Sequence, residues 1–154
     1  MALGTRRTPE RDNPFLSGPI LQKGVTVSNV LTTAGGVETI TVEELLKGLL
    51  VADTQDAQTW TLPTAALLNA GIPGVEVGTV LEFTVINYGD TTLTIGLGTG
   101  VTKTTIATVA AIMTIATLTA KRFRLECTGV ASPYVPGTSD AWVVWTLGAS
   151  TVVA

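Results

Sequence analysis

The residues of this chain that could do chemistry are few and scattered. There is no histidine and a single cysteine, Cys127, so a nucleophilic thiol would lack the imidazole base that usually activates it. No internal disulfide or cysteine-built metal cluster can form. Leu125, Glu126 and Thr128 around Cys127 read as a strand, which makes the thiol a small buried hydrophobe. Only carboxylates remain as metal ligands, a poor set for zinc, and neither a metal nor another cofactor is expected. Asp53 and Asp56 fall in loop sequence, with nothing beside them to set up acid and base roles. Gly96, Gly98 and Gly100 have the spacing of a loop whose amides could cradle phosphate. The sequence that follows, Val101-Thr102-Lys103-Thr104, is strand-like and opens no helix, so these glycines read as a flexible inter-strand loop. No residues are placed to support catalysis, and an enzyme is not expected.

Binding chemistry has more to work with. Trp60, Trp142 and Trp145 are candidates for a subunit interface or a ligand surface, because an indole combines a large apolar face with one donor. Trp142 and Trp145 fall on opposite faces of one strand, so one of them looks outward or into an interface. Core and interface packing is the first reading of the three, and a platform for a host-surface glycan the second. Lys121, Arg122 and Arg124 cluster on another strand, with Arg122 and Arg124 sharing a face. That pattern reads as an ion-pairing edge toward Glu82, Glu126 or a neighbouring subunit.

The elements that must position these residues follow from composition and periodicity. Only 14% of the 154 residues are charged, against about 25% in an average soluble domain, and the mean hydropathy is positive. Much of the outside of such a body is expected to be covered by other subunits. Residues 1–23 hold Arg6, Arg7, Arg11 and Lys23 against Glu10 and Asp12, while the body from Gly24 onward is acidic. A nucleic-acid surface needs a basic stripe, so no nucleic acid is expected as a partner. Met1 to Leu21 contains prolines and charges where a secretory leader needs an apolar core. Thr104 to Ala120 is uncharged but short and rich in threonine, so no membrane span is expected.

Two segments result. Residues 1–23, with Pro9, Pro14 and Pro19, form an extended N-terminal arm that orders on a neighbour. Phe15, Leu16, Ile20 and Leu21 would be its apolar anchors, and Arg6, Arg7 and Arg11 would reach carboxylates. Residues 24–154 form the body. Val25, Val27 and Val30 alternate as a strand, Val37 to Thr41 gives another, and Thr41-Val42-Glu43-Glu44 fits a capping box opening a short helix over Glu43 to Leu49. Ala57 to Leu62 reads as a strand, and Ala65 to Gly71 as a helical turn. Val80 to Tyr88 alternates cleanly, and with Thr91 to Leu97 predicts a β-hairpin turning at Gly89-Asp90. Val101 to Thr105, Ile112 to Leu118, Arg122 to Thr128 and Ala141 to Leu147 complete about eight strands. No exact internal repeat is present. The fold class is mainly β, a jelly-roll-like or Greek-key β-sandwich with one or two short helices.

Three stretches together carry a resemblance: Thr59-Trp60-Thr61-Leu62-Pro63-Thr64-Ala65-Ala66, Gly78 to Asn87, and the Thr91 to Thr102 region with its glycine loop. Over Gln55 to Thr128, about half of the chain, the texture resembles the small β-structured decoration, cement and head-fibre proteins of tailed bacteriophages and related viruses. Where the family pattern has a glycine-containing turn between the last two strands, this chain has Thr119-Ala120-Lys121. The resemblance implies a homotrimer on the outer surface of a virion capsid, made in the host cytoplasm, whose arm grips the major capsid protein. Its function would be mechanical, stabilising the shell by bridging capsomers. A tail or fibre adhesin binding a host receptor and a non-viral carbohydrate-binding module are the alternative classes.

Overall fold

The computed structural model describes residues 26–31, 36–104, 113–132, 134 and 138–151. The arm, residues 1–23, lies outside them, and with it the expected capsid contacts Arg6, Arg7, Arg11, Phe15, Leu16, Ile20 and Leu21. Residues 105–112 of the uncharged stretch lie outside them too.

The body is mainly β, two sheets face to face with two short helices at one side. In chain order the elements are β1 (Thr26–Leu31), β2 (Gly36–Thr39), α1 (Val42–Leu46), β3 (Gly48–Ala52), β4 (Gln58–Thr61), α2 (Ala65–Gly71), β5 (Val80–Asn87), β6 (Leu93–Gly96), β7 (Val101–Lys103), β8 (Thr114–Ile115), β9 (Thr119–Gly129) and β10 (Ala141–Thr151). The larger sheet has the order β1-β3-β5-β9-β10-β7 and the smaller β2-β4-β6-β8. The expected sandwich is present, but its winding is not the antiparallel one of a jelly roll or Greek key. From β1 to β6 the chain alternates between the sheets, and each strand from β3 on pairs in parallel with the one two strands earlier. Antiparallel pairing enters with β8, β9 and β10, which close the winding.

This parallel winding is a quasi-repeat that sequence inspection missed. Thr26 stands opposite Gly48 and Gly36 opposite Gln58, the same offset in both sheets. Leu49 opposite Thr84 and Gln58 opposite Leu93 show a second shared offset, longer because the chain runs through α2 and a loop. Each of the first two passes ends in a threonine-capped helix. Thr41 and Glu44 close the expected capping box on α1, and the Thr64 hydroxyl accepts from the Leu67 amide on α2. The helix expected over Glu43 to Leu49 stops earlier, because Gly48 takes a positive φ of 81° and starts β3.

The hairpin expected from Val80 to Leu97 is instead an arch. β5 lies in the larger sheet and β6 in the smaller, and neither bonds the other. Their alternation is as read, with Leu81, Phe83 and Val85 of β5 and Leu93 and Ile95 of β6 buried. These side chains meet across the core rather than lining one sheet face. Phe83 stacks on Phe123, ring centroids 5.2 Å apart. A buried polar corner holds the turn: Asn87 Oδ1 accepts from the Thr54 hydroxyl at 2.9 Å and the Gly89 amide at 3.0 Å, and its Nδ2 donates to the carbonyls of Thr91, Ile115 and Ala116. Tyr88 N donates to the Ala52 carbonyl and Asp90 N to the Thr54 carbonyl, so this arch stacks on the preceding one.

Candidate functional site

The three tryptophans divide by position. Trp60 on β4 and Trp142 on β10 are fully buried in the core between the sheets, which corrects their candidacy as ligand or interface residues. Trp145, one face further along β10, is partly exposed on the outer side of the larger sheet. Trp142 donates its Nε1–H to Asn69 Oδ1 at 2.6 Å, and Asn69 Nδ2 donates to Asp140 and to the Gly129 carbonyl. The network pins α2 to the last two strands. Trp60 Nε1 and both amide atoms of the buried Gln58 have no hydrogen-bond partner.

The other candidates serve structure. Cys127 is buried beside Asn69 and Gly129, and burial raises its thiol pKa, as does the Asp140 charge, against a smaller lowering by the Gly129 hydrogen bond. A protonated buried thiol is a poor nucleophile and a poor ligand. The glycine loop is tied down rather than open: a Cβ on Gly98 would meet the Pro63 carbonyl oxygen at 2.4 Å, and the Ala65 amide donates to the Thr99 carbonyl at 2.9 Å. The carbonyls of Gly96, Gly98 and Gly100 likewise accept from the amides of Leu62, Val101 and Trp142, so the loop is a packed connection rather than a flexible one. Among the described residues no group of three His, Cys, Asp or Glu side chains could hold a metal ion, and no helix is long and apolar enough to cross a membrane. A shallow groove of about 340 Å³ runs along Val77, Thr128, Val130, Thr138 and Ser139, and none of its lining side chains ionises.

The outer sheet faces are the surfaces that register assembles. On the smaller sheet Val37, Thr59, Thr94 and Thr114 stand in one row, with Thr39, Thr61 and Gly96 in the next. On the larger sheet Trp145, Arg124 and Glu82 form one row, and Val143, Glu126 and Val80 another. Leu49, Thr84 and Arg122 form a third, and Val51, Ile86 and Ala120 a fourth. The basic cluster makes the ion pairs expected of it: Arg122 with Glu82, and Arg124 with Glu126 at 3.4 Å. Each is partly solvated and contributes about 1 kcal/mol or less. Lys121 donates to the Thr114 carbonyl, and burial lowers its pKa. Sequence reading finds the charged residues of this face and places Val80 and Ile86 beside Glu82, but misses Leu49 and Val51, because they lie on β3, a run that reads as helix and loop.

The sequence matches no protein-family model, and comparisons with curated proteins and with solved structures return no significant match.

Proposed function

We propose that the chain is a structural virion protein, a capsid decoration or cement protein. Its body would mount as a homotrimer on the outer surface of the capsid, its arm would bind the major capsid protein, and the assembly would stabilise the shell by bridging capsomers. The observation that carries this reading is the pair of outer sheet faces. One is a field of threonines, the other is apolar with its charges paired off. Such surfaces offer little to a soluble substrate and much to a flat protein neighbour. Repetition over many equivalent sites lets modest contacts accumulate by avidity.

The test is co-sedimentation of the full chain, and of a chain lacking residues 1–20, with shells of the major capsid protein from the same source. The reading expects saturable binding of the full chain and at least about tenfold weaker binding of the truncated one, with the body still folded. Absence of binding by the full chain overturns it. Trp145 supports a second reading, a tail or fibre adhesin, because it is the one tryptophan open to stacking on a sugar ring. Glycan binding that is lost in Trp145→Ala with assembly intact would favour that reading.

A further inference from the structure

We infer that the outer face of the larger sheet is the surface on which copies of this chain pack against one another. The inference deepens the capsid reading, on whose homotrimer it rests, by naming the interface. Five of the six strands, β1, β3, β5, β7 and β10, make a parallel pairing and β9 alone is antiparallel to both neighbours; wholly parallel sheets occur almost only where both faces are covered. Here the inner face is the core, and the outer face carries Leu49, Val51, Ile86, Val143 and Trp145 only partly covered.

Charge and size point to a second copy as the occupant. The face holds two arginines and two glutamates, already closed into Arg122–Glu82 and Arg124–Glu126. It therefore has no net field to attract a strongly acidic or basic partner. A copy with the same alternation of signs can interleave its charges with these without leaving one unmatched. With strands about 4.8 Å apart and about 3.3 Å of rise per residue, six strands of 3 to 11 residues give the face roughly 700 Å². That is close to the ~800 Å² each partner contributes to a stable interface. Toward the β10 side of the face Trp145 and Arg124 stand side by side, residue types enriched where interfaces hold tightest.

The experiment is light scattering of the full chain at tens of micromolar, beside Ile86→Lys on this face and Thr94→Lys on the smaller sheet. The inference expects wild type and Thr94→Lys as a stable oligomer, at two or three times the 15.9 kDa chain mass. Ile86→Lys should be monomeric with an unchanged circular dichroism spectrum, its dissociation constant raised at least about 100-fold. A monomeric wild type, or a folded Ile86→Lys that keeps the wild-type mass, overturns the inference.

A second readout needs no variant. Because Trp60 and Trp142 are buried, acrylamide quenching of native fluorescence reports on Trp145, and dilution through dissociation should raise the quenching constant about twofold. Quenching that ignores concentration while the mass falls overturns the inference. Shell binding separates the two readings. A chain that self-associates through this face but ignores capsid shells removes the capsid reading alone, and a monomer that binds shells removes this inference and the homotrimer while keeping shell binding.

Discussion

Replacing Asn87 should be the most damaging single polar change in the body. Its side chain is fully buried and makes five hydrogen bonds, joining the end of β3, the β5–β6 arch and β8. In Asn87→Ala the Thr54 hydroxyl keeps an acceptor, since it also donates to the Thr91 carbonyl at 2.8 Å. The Gly89 amide loses its Asn87 acceptor, and the carbonyls of Ile115 and Ala116 lose its donor. Gly89 and Ile115 are buried, and at about 1–3 kcal/mol for each buried group left unpaired the loss is about 2–6 kcal/mol, a large share of the 5–15 kcal/mol that holds a typical domain. Asn87→Asp sharpens the argument. It keeps the shape and the two accepted bonds but replaces the amide donor with an oxygen facing three carbonyl oxygens, so the folded state favours a protonated carboxyl. A folded pKa raised above the unfolded value means stability present at acid pH and lost as pH rises through and beyond the ordinary carboxylate range. Urea unfolding followed by tryptophan fluorescence, from pH 4 to pH 8, measures both variants. An Asn87→Ala loss under about 1 kcal/mol, or an Asn87→Asp stability that tracks wild type across pH, would refute the corner's role.

Other expectations follow from the same geometry. Gln58→Met removes a buried amide with no partner while keeping its volume, and should raise stability by about 1–2 kcal/mol in urea titration. Gly98→Ala places a methyl group 2.4 Å from the Pro63 carbonyl oxygen and should cost about 1–3 kcal/mol, seen as a lowered Tm. Cys127 should resist thiol reagents until the body unfolds. Because its folded pKa is raised, the unfolded chain loses the thiol proton first, and stability falls as pH rises through the ordinary thiol range. Cys127→Ala should flatten that slope, which urea titration between pH 7 and pH 10 measures.

Burial was far more legible in the sequence than partnership. Alternation in Val80 to Asn87 separates the strand's two faces, one of which is buried, and the Thr41 to Glu44 box marks the start of α1. Strand periodicity states which face is buried and not what lies across from it, and a hairpin and an arch share the same pattern. The distinguishing signal was a polar residue at an inward position: Asn87 next to a glycine, with Thr54 equally buried, marks a corner that turns through the core. β3 was hidden because Gly48-Leu49-Leu50-Val51-Ala52 is uniformly apolar, and such a run continues a helix as readily as it starts a buried strand. The rungs escaped notice because the second pass is lengthened by α2 and its loop. The ion-paired face was partly legible, since Arg122, Arg124, Glu82 and Ile86 fall on strands the alternation finds, while Leu49 and Val51 come from that missed strand.

The central claim is that this body is one repeating part of a shell. The most direct test is the copy number of the chain relative to the major capsid protein in purified particles, by quantitative peptide mass spectrometry. A ratio approaching one to one is what a shell-covering protein requires. A few copies per particle would contradict that claim in favour of a tail or vertex fibre, and absence from the particle would contradict any place in the virion.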